Sequence, residues 1–309
     1  MRAKLPAHRD RMTARPAALA RRGFTLVELV MVIVITGIIA AVITVFLKPT
    51  IDSYFDTRRR ATLTDSADTA LRRLARDVRL AVPNSIRMPN STCFELVPTM
   101  GGGRYRTGPD TVNDSGPGCT PGVNCSAPLN VAQPATVFDS LSALPSTPAA
   151  GDWVVIDNQN TNDVYAGTNS AALSAAPSTP NANYGLLRLT FPSTQFPSGY
   201  DGERYVIVAN NGGNPTVFYV CSGAGTDSNG TGTGSLYRVR GPFIPAYPSA
   251  CPSTTGAALL AERVKSCRFV YDPNQGATQQ SGFVWMQLEL AESNETVSLS
   301  YGAHVDNVP

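Results

Sequence analysis

From Phe24 to Leu47 the chain is apolar or small at every position but one, and the exception is a carboxylate, Glu28. More than twenty residues at a rise of ~1.5 Å each cover a hydrocarbon core of roughly 30 Å, so this run can cross a bilayer as a helix. It is too long for the core of a removable secretory signal, which is about 7 to 15 residues. Ala40-Ala41 imitates the small-residue cleavage site of such a signal, but an acid at the start of the apolar core does not suit one. An ionisable group inside a membrane helix costs at least ~2.5 kcal/mol and usually has a partner or a function. A cut between Gly23 and Phe24 supplies the partner: a new α-amino group one helical turn from Glu28, or within reach of the Glu28 of a neighbouring copy.

The hexapeptide Gly23-Phe24-Thr25-Leu26-Val27-Glu28 resembles the processing site of type IV pilins and type II secretion pseudopilins. The resemblance implies that a prepilin peptidase cleaves after Gly23 on the cytoplasmic side, that Phe24 becomes the N-methylated terminus, and that Glu28 is the family's assembly glutamate. One departure concerns the helix kink. Pro49, after Lys48, falls slightly later than the proline the family often carries, which leaves the position of the bend open.

The leader, residues 1–23, carries Arg2, Lys4, Arg9, Arg11, Arg15, Arg21 and Arg22 against Asp10. Basic residues beside a span stay cytoplasmic, so the N-terminus is expected inside and the remainder outside. Removing seven positive charges and one negative from the whole-chain +2 leaves −4 for the mature chain, which gives no hint of a nucleic-acid partner. Arg58-Arg59-Arg60, Arg72, Arg73, Arg76 and Arg79 are the basic exception. Asp56, Asp65, Asp68 and Asp77 interleave with them at ion-pairing separations, as on a solvated helix face.

Cys93, Cys119, Cys125, Cys221, Cys251 and Cys267 all lie beyond the span, and an even number in an exported domain reads as disulfides. Proximity favours Cys119 with Cys125 and Cys221 with Cys251, leaving Cys93 for Cys267. Zinc is rejected, because no CxxC pair occurs and the mature chain has only His304. No other metal and no cofactor is expected.

After Pro49 the pattern turns amphipathic: Ile51, Tyr54, Phe55, Ala67, Ala70, Leu71, Leu74, Val78 and Ala81 recur at helical spacing until Pro83. The sequence predicts one long helix over 25–82. From residue 84 the chain is rich in Pro, Gly, Ser, Thr and Asn, with short β-type runs between. The clearest alternates Trp285, Gln287 and Glu289 with Val284, Met286, Leu288 and Leu290. An antiparallel sheet with one face against the helix follows. The stretches 101–134 and 145–183 are too polar and turn-rich to be core, and are expected as loops, either partner surfaces or tolerated insertions. Residues 222–235, with Asp227, Ser228 and Asn229, read as a hairpin loop rather than a calcium site.

The segments 68–85 and 259–272 resemble the larger minor pilins, most closely those of the mannose-sensitive haemagglutinin pilus. The implied fold is α+β and pilin-like: leader 1–23, transmembrane helix 24–48, amphipathic continuation 49–83 and an exported β-rich head 84–309. The implied role is a minor pilin in assembly or initiation of such a pilus. Its partners would be the prepilin peptidase, other pilins and minor pilins, the inner membrane and the pilus assembly machinery. A pseudopilin of a type II secretion system and a pilus-tip adhesin or other binding module are the alternatives. An anchored enzyme is disfavoured, since no nucleophile elbow occurs and Gly101-Gly102-Gly103 lacks the Lys-Ser/Thr of a phosphate loop.

Overall fold

The computed structural model describes residues 23–114, 116–198, 202–275 and 281–306, so the leader, apart from Gly23, lies outside the described residues. The chain divides into two units, residues 1–55 and 56–309. In the first, helix α1 (Leu26–Arg79) begins immediately after Thr25 and carries every apolar side chain of the run exposed. It continues through Pro49, whose missing N–H deprives the Val45 carbonyl of its intrahelical donor. The apolar stretch of α1 is long enough to cross a membrane.

Within the second unit α1 buries one face, made by Leu63, Ala67, Ala70, Leu71, Leu74 and Val78. Spacings of three and four keep these on one stripe. Ile51, Tyr54 and Phe55, expected on the same face, are instead exposed. The helix also stops at Arg79, earlier than the expected residue 82. Residues 80–82 are bonded instead to the extended segment 97–99: the Thr99 amide donates to the Leu80 carbonyl at 2.7 Å and the Val82 amide to the Val97 carbonyl at 2.8 Å. Pro83 therefore follows a short extended segment rather than the helix itself.

The stripe packs on a seven-stranded antiparallel sheet. Its strands, in spatial order, are β1 (Arg87–Asn90), β2 (Cys93–Leu96), β9 (Thr216–Ser222), β10 (Gly234–Gly241), β11 (Ala258–Gln275), β12 (Ser281–Glu292) and β13 (Glu295–Asp306). Alternation in β12 is as read, with Val284, Met286, Leu288 and Leu290 buried. With its long apolar N-terminal helix and antiparallel sheet, the chain has a type IV pilin-like α+β fold.

The two presumed loops are structured. They supply β3 (Gly101–Arg104), β5 (Trp153–Ile156), helix α2 (Asp163–Ala166) and β6 (Ser170–Ala172). With β8 (Arg204–Val208) the three strands form a second sheet in the order β3-β8-β5-β6, flanked by a ladder of β4 (Ala135–Ser140) with β7 (Leu187–Thr194). A separate core of Phe138, Val154, Ile156, Leu189, Phe196 and Ile207 fills this lobe. Buried Tyr105 and Leu129 join it from the stretch read as uniformly surface. The triple glycine is a packing device. A Cβ on Gly102 would sit 2.6 Å from the Tyr205 carbonyl oxygen, and one on Gly103 2.5 Å from Ser142 Cβ.

Disulfides join Cys119 to Cys125, Cys93 to Cys251 and Cys221 to Cys267. The expected Cys221–Cys251 and Cys93–Cys267 pairings are thus corrected. Register explains the exchange. Only the first part of β11, Ala258 to Val264, pairs with β10, and the pairing stops opposite Gly234, the first residue of β10. The rest of β11 runs past that end, where the Phe269 amide donates to the Ser91 carbonyl at 2.8 Å and Cys267 meets Cys221. Cys93 is left facing the 242–257 segment, from which Cys251 approaches beside Asn90.

Two arginines with no local motif around them tie segments of the head together. Arg87 pairs with Glu95 at 2.6 Å, both 1% exposed, and stacks on Tyr165 with its guanidinium carbon 3.4 Å from the ring centroid. The same guanidinium donates to the Ile244 and Ala246 carbonyls at 3.1 Å, tying the main sheet to the 242–257 segment. Burial pushes the Glu95 carboxyl above its usual range, with Arg87 opposing the rise. Arg188 does similar work in the second lobe. It grips Asp139 at 2.7 Å and donates to the Gly122 and Cys125 carbonyls, which orders the segment carrying the Cys119–Cys125 bridge.

Candidate processing and assembly segment

Gly23, Phe24 and Thr25 precede the helix without regular structure, and Phe24 is 81% exposed. A peptide bond in an exposed, non-helical segment is open to a protease. Nothing lies within 4 Å of the position a Gly23 side chain would take.

Thr25 caps the helix. Its Oγ1 accepts from the Glu28 amide at 3.2 Å, while its carbonyl accepts from the Leu29 amide at 3.1 Å. Thr-x-x-Glu is the capping-box pattern, with threonine at the cap and glutamate three residues on. The pattern is legible in the sequence as Thr25 followed three residues on by Glu28. The carboxylate lies in the first turn of α1, where the helix dipole favours negative charge. Among the described residues its side chain has no hydrogen-bond or ion-pair partner. A free amine created at Phe24 would stand one residue ahead of the cap, at the positive end of the dipole, where an unbalanced cation is disfavoured. From its own position the Glu28 carboxylate faces the orphan amides of the first turn.

Behind the cap, the threonine hydroxyls of the run are satisfied within the helix. The hydroxyls of Thr36 and Thr44 donate to the Val32 and Ala40 carbonyls, at 2.7 and 2.8 Å, so neither needs water. Such back-bonding suits a helix immersed in lipid or among other apolar helices.

The charged face of α1 is only partly as expected. Asp56 pairs with Arg59 and Asp68 with Arg72 along the helix. Asp77 instead accepts from Arg238 at 2.9 Å and from the Tyr219 hydroxyl at 2.6 Å, and Arg60 pairs with Glu295. Elsewhere, Asp114 lies beside Cys119 and Cys125, whose sulfurs are committed to each other, and its carboxylate accepts from the Ser126 amide at 3.1 Å. Asp227 accepts from the Asn229 and Thr231 amides, at 2.9 and 2.8 Å, and so closes the β9–β10 loop as a turn. His304 packs its ring on Phe283 with centroids 4.9 Å apart.

Residues 19–44 match a family model described as the prokaryotic N-terminal methylation motif. No curated protein and no solved structure matches the chain.

Proposed function

We propose that this chain, type IV pilin-like in its N-terminal motif and its α+β fold, is a minor pilin that takes part in assembly or initiation of a pilus of the mannose-sensitive haemagglutinin kind. A prepilin motif carries with it processing by the peptidase and assembly with other pilins. In this reading the peptidase cuts after Gly23 and Phe24 is methylated. The basic leader stays in the cytoplasm, the head stands in the periplasm, and the helix later leaves the inner membrane for the fibre. The role is structural, with no catalytic step. A head of more than two hundred residues suits a scarce or terminal subunit better than a densely repeated one.

The observation that carries the proposal is the sequence Gly23-Phe24-Thr25-Leu26-Val27-Glu28 opening an apolar helix whose exposed side chains have no cover of their own. Its mechanism is packing. Apolar helices of neighbouring subunits bundle, and the Glu28 carboxylate meets a neighbour's Phe24 amine to fix their register. Glu28→Ala should leave membrane insertion intact and lower incorporation into fibres severalfold. Normal incorporation of that variant would defeat the mechanism.

The second lobe favours a further reading, a tip adhesin or binding module, because its core is separate from the one that covers the helix. A pseudopilin of a type II secretion system would share the whole architecture. Pilus assembly genes or secretion-channel genes beside its own would distinguish the two systems.

A further inference from the structure

Three arginines line one open cavity of the head, of about 330 Å³: Arg79 in the last turn of α1, Arg104 at the end of β3 and Arg204 at the start of β8. Arg104 and Arg204 are direct cross-strand partners. Their side chains therefore leave the same face with Cβ atoms roughly 5 Å apart, an arrangement in which like charges destabilise the sheet. The ion pairs among the described residues leave all three arginines out. Arg87, Arg188 and Arg238, by contrast, each hold a carboxylate within 3 Å. The buried Arg87 and Arg188 and the half-buried Arg238 have carboxylate partners, whereas the exposed Arg104 and Arg204 stand directly opposite each other with none, which leaves room for an anion.

The cavity's composition indicates which anion. Against three guanidinium groups its lining holds one carboxylate, Asp306, which leaves a formal charge of +2. A phosphate monoester carries about −1.5 to −2 at neutral pH and offers three acceptor oxygens. Guanidinium forks match those oxygens in pairs, which an ammonium cannot do. Ser142, also in the lining, accepts from the Arg104 amide at 3.1 Å and keeps its hydroxyl proton free to donate. We infer that this cavity is a binding site for a phosphate group, free or borne as a monoester, held by Arg79, Arg104 and Arg204. The inference is independent of any role in a fibre.

The test uses the full chain in detergent, in phosphate-free buffer at low salt, titrated calorimetrically with inorganic phosphate, glycerol 3-phosphate and acetate at matched ionic strength. Saturable phosphate binding is expected, weakened at least about tenfold in an Arg104→Gln/Arg204→Gln double variant. With the opposed charges gone, that variant should melt no lower than the parent when no ligand is present. Should it fail to fold, Arg79→Gln on the exposed last turn reads the same loss by itself. Equal affinities for the two phosphates support a site for free phosphate. About tenfold tighter binding of glycerol 3-phosphate supports a phosphate borne on a larger molecule, such as a lipid headgroup. No saturable binding, undiminished binding by the variants, or acetate binding as tightly as phosphate would each overturn the inference.

Discussion

One helix meets two fates. Between Leu26 and Leu47 its apolar side chains are all exposed, whereas from Leu63 to Val78 the stripe residues are at most 3% exposed. Composition does not explain the contrast, since the first stretch is by far the more apolar. What differs is supply. The later stretch has strands of its own chain to cover it, while the earlier one has no such cover among the described residues. Apolar surface gains roughly 25 cal/mol per Å² on leaving water, so a bare helix of this kind is stable only where something else covers it. The head's stability is therefore internal, and the N-terminal run's interactions are external.

Substitutions on the two sides should separate cleanly. The largest effect is expected from Arg87→Ala, which strands the Glu95 carboxyl in a buried site and should cost the head about 3–5 kcal/mol in chemical denaturation. Leu71→Ala follows, at about 2–5 kcal/mol, because Leu71 is fully buried against the sheet. Val34→Ala in the bare run should leave the head's unfolding unchanged, and a matching loss there would erase the distinction between the two stretches. Replacing Cys93 and Cys251 together by serine opens a loop with a sequence separation of 158 and should cost about 2–4 kcal/mol. Non-reducing peptide mapping should find Cys93 joined to Cys251 and Cys221 to Cys267.

The smallest effect concerns acid. Hydrogen bonding from Lys265, helped by the Ser266 hydroxyl, holds the Glu289 carboxyl below its ordinary range. A depressed folded pKa stabilises above the unfolded value and loses that contribution as pH falls through the folded one. Between about pH 5 and 3 the parent should thus lose slightly more stability than Glu289→Gln, measured by melting at each pH.

What the sequence made legible was whatever depends on local pattern. The apolar run, the stripe from Ala67 to Val78 and the alternation of β12 are set by side-chain period, which a single segment displays. The second lobe escaped because its strands are short and its glycines and small residues look like loop. Gly102 and Gly103 are there for close packing against Tyr205 and Ser142, and only the folded chain reveals those neighbours. The disulfide pairing escaped for a related reason: it follows from β11 outrunning β10, which no spacing between cysteines encodes. Arg87 and Arg188 have no local signal, because Glu95 and Asp139 are brought to them only by the fold. The segment proposed for processing is legible because its motif and its Thr-x-x-Glu cap are both local in sequence.

In the proposed function, trimming frees the apolar helix for assembly with other subunits. Mass spectrometry of the N-terminus of the protein isolated from its own host tests this most directly. The account predicts a chain that begins at Phe24 and bears a methyl group on its amine. An intact chain beginning at Met1, or a soluble head released by cleavage at Ala41, would contradict it.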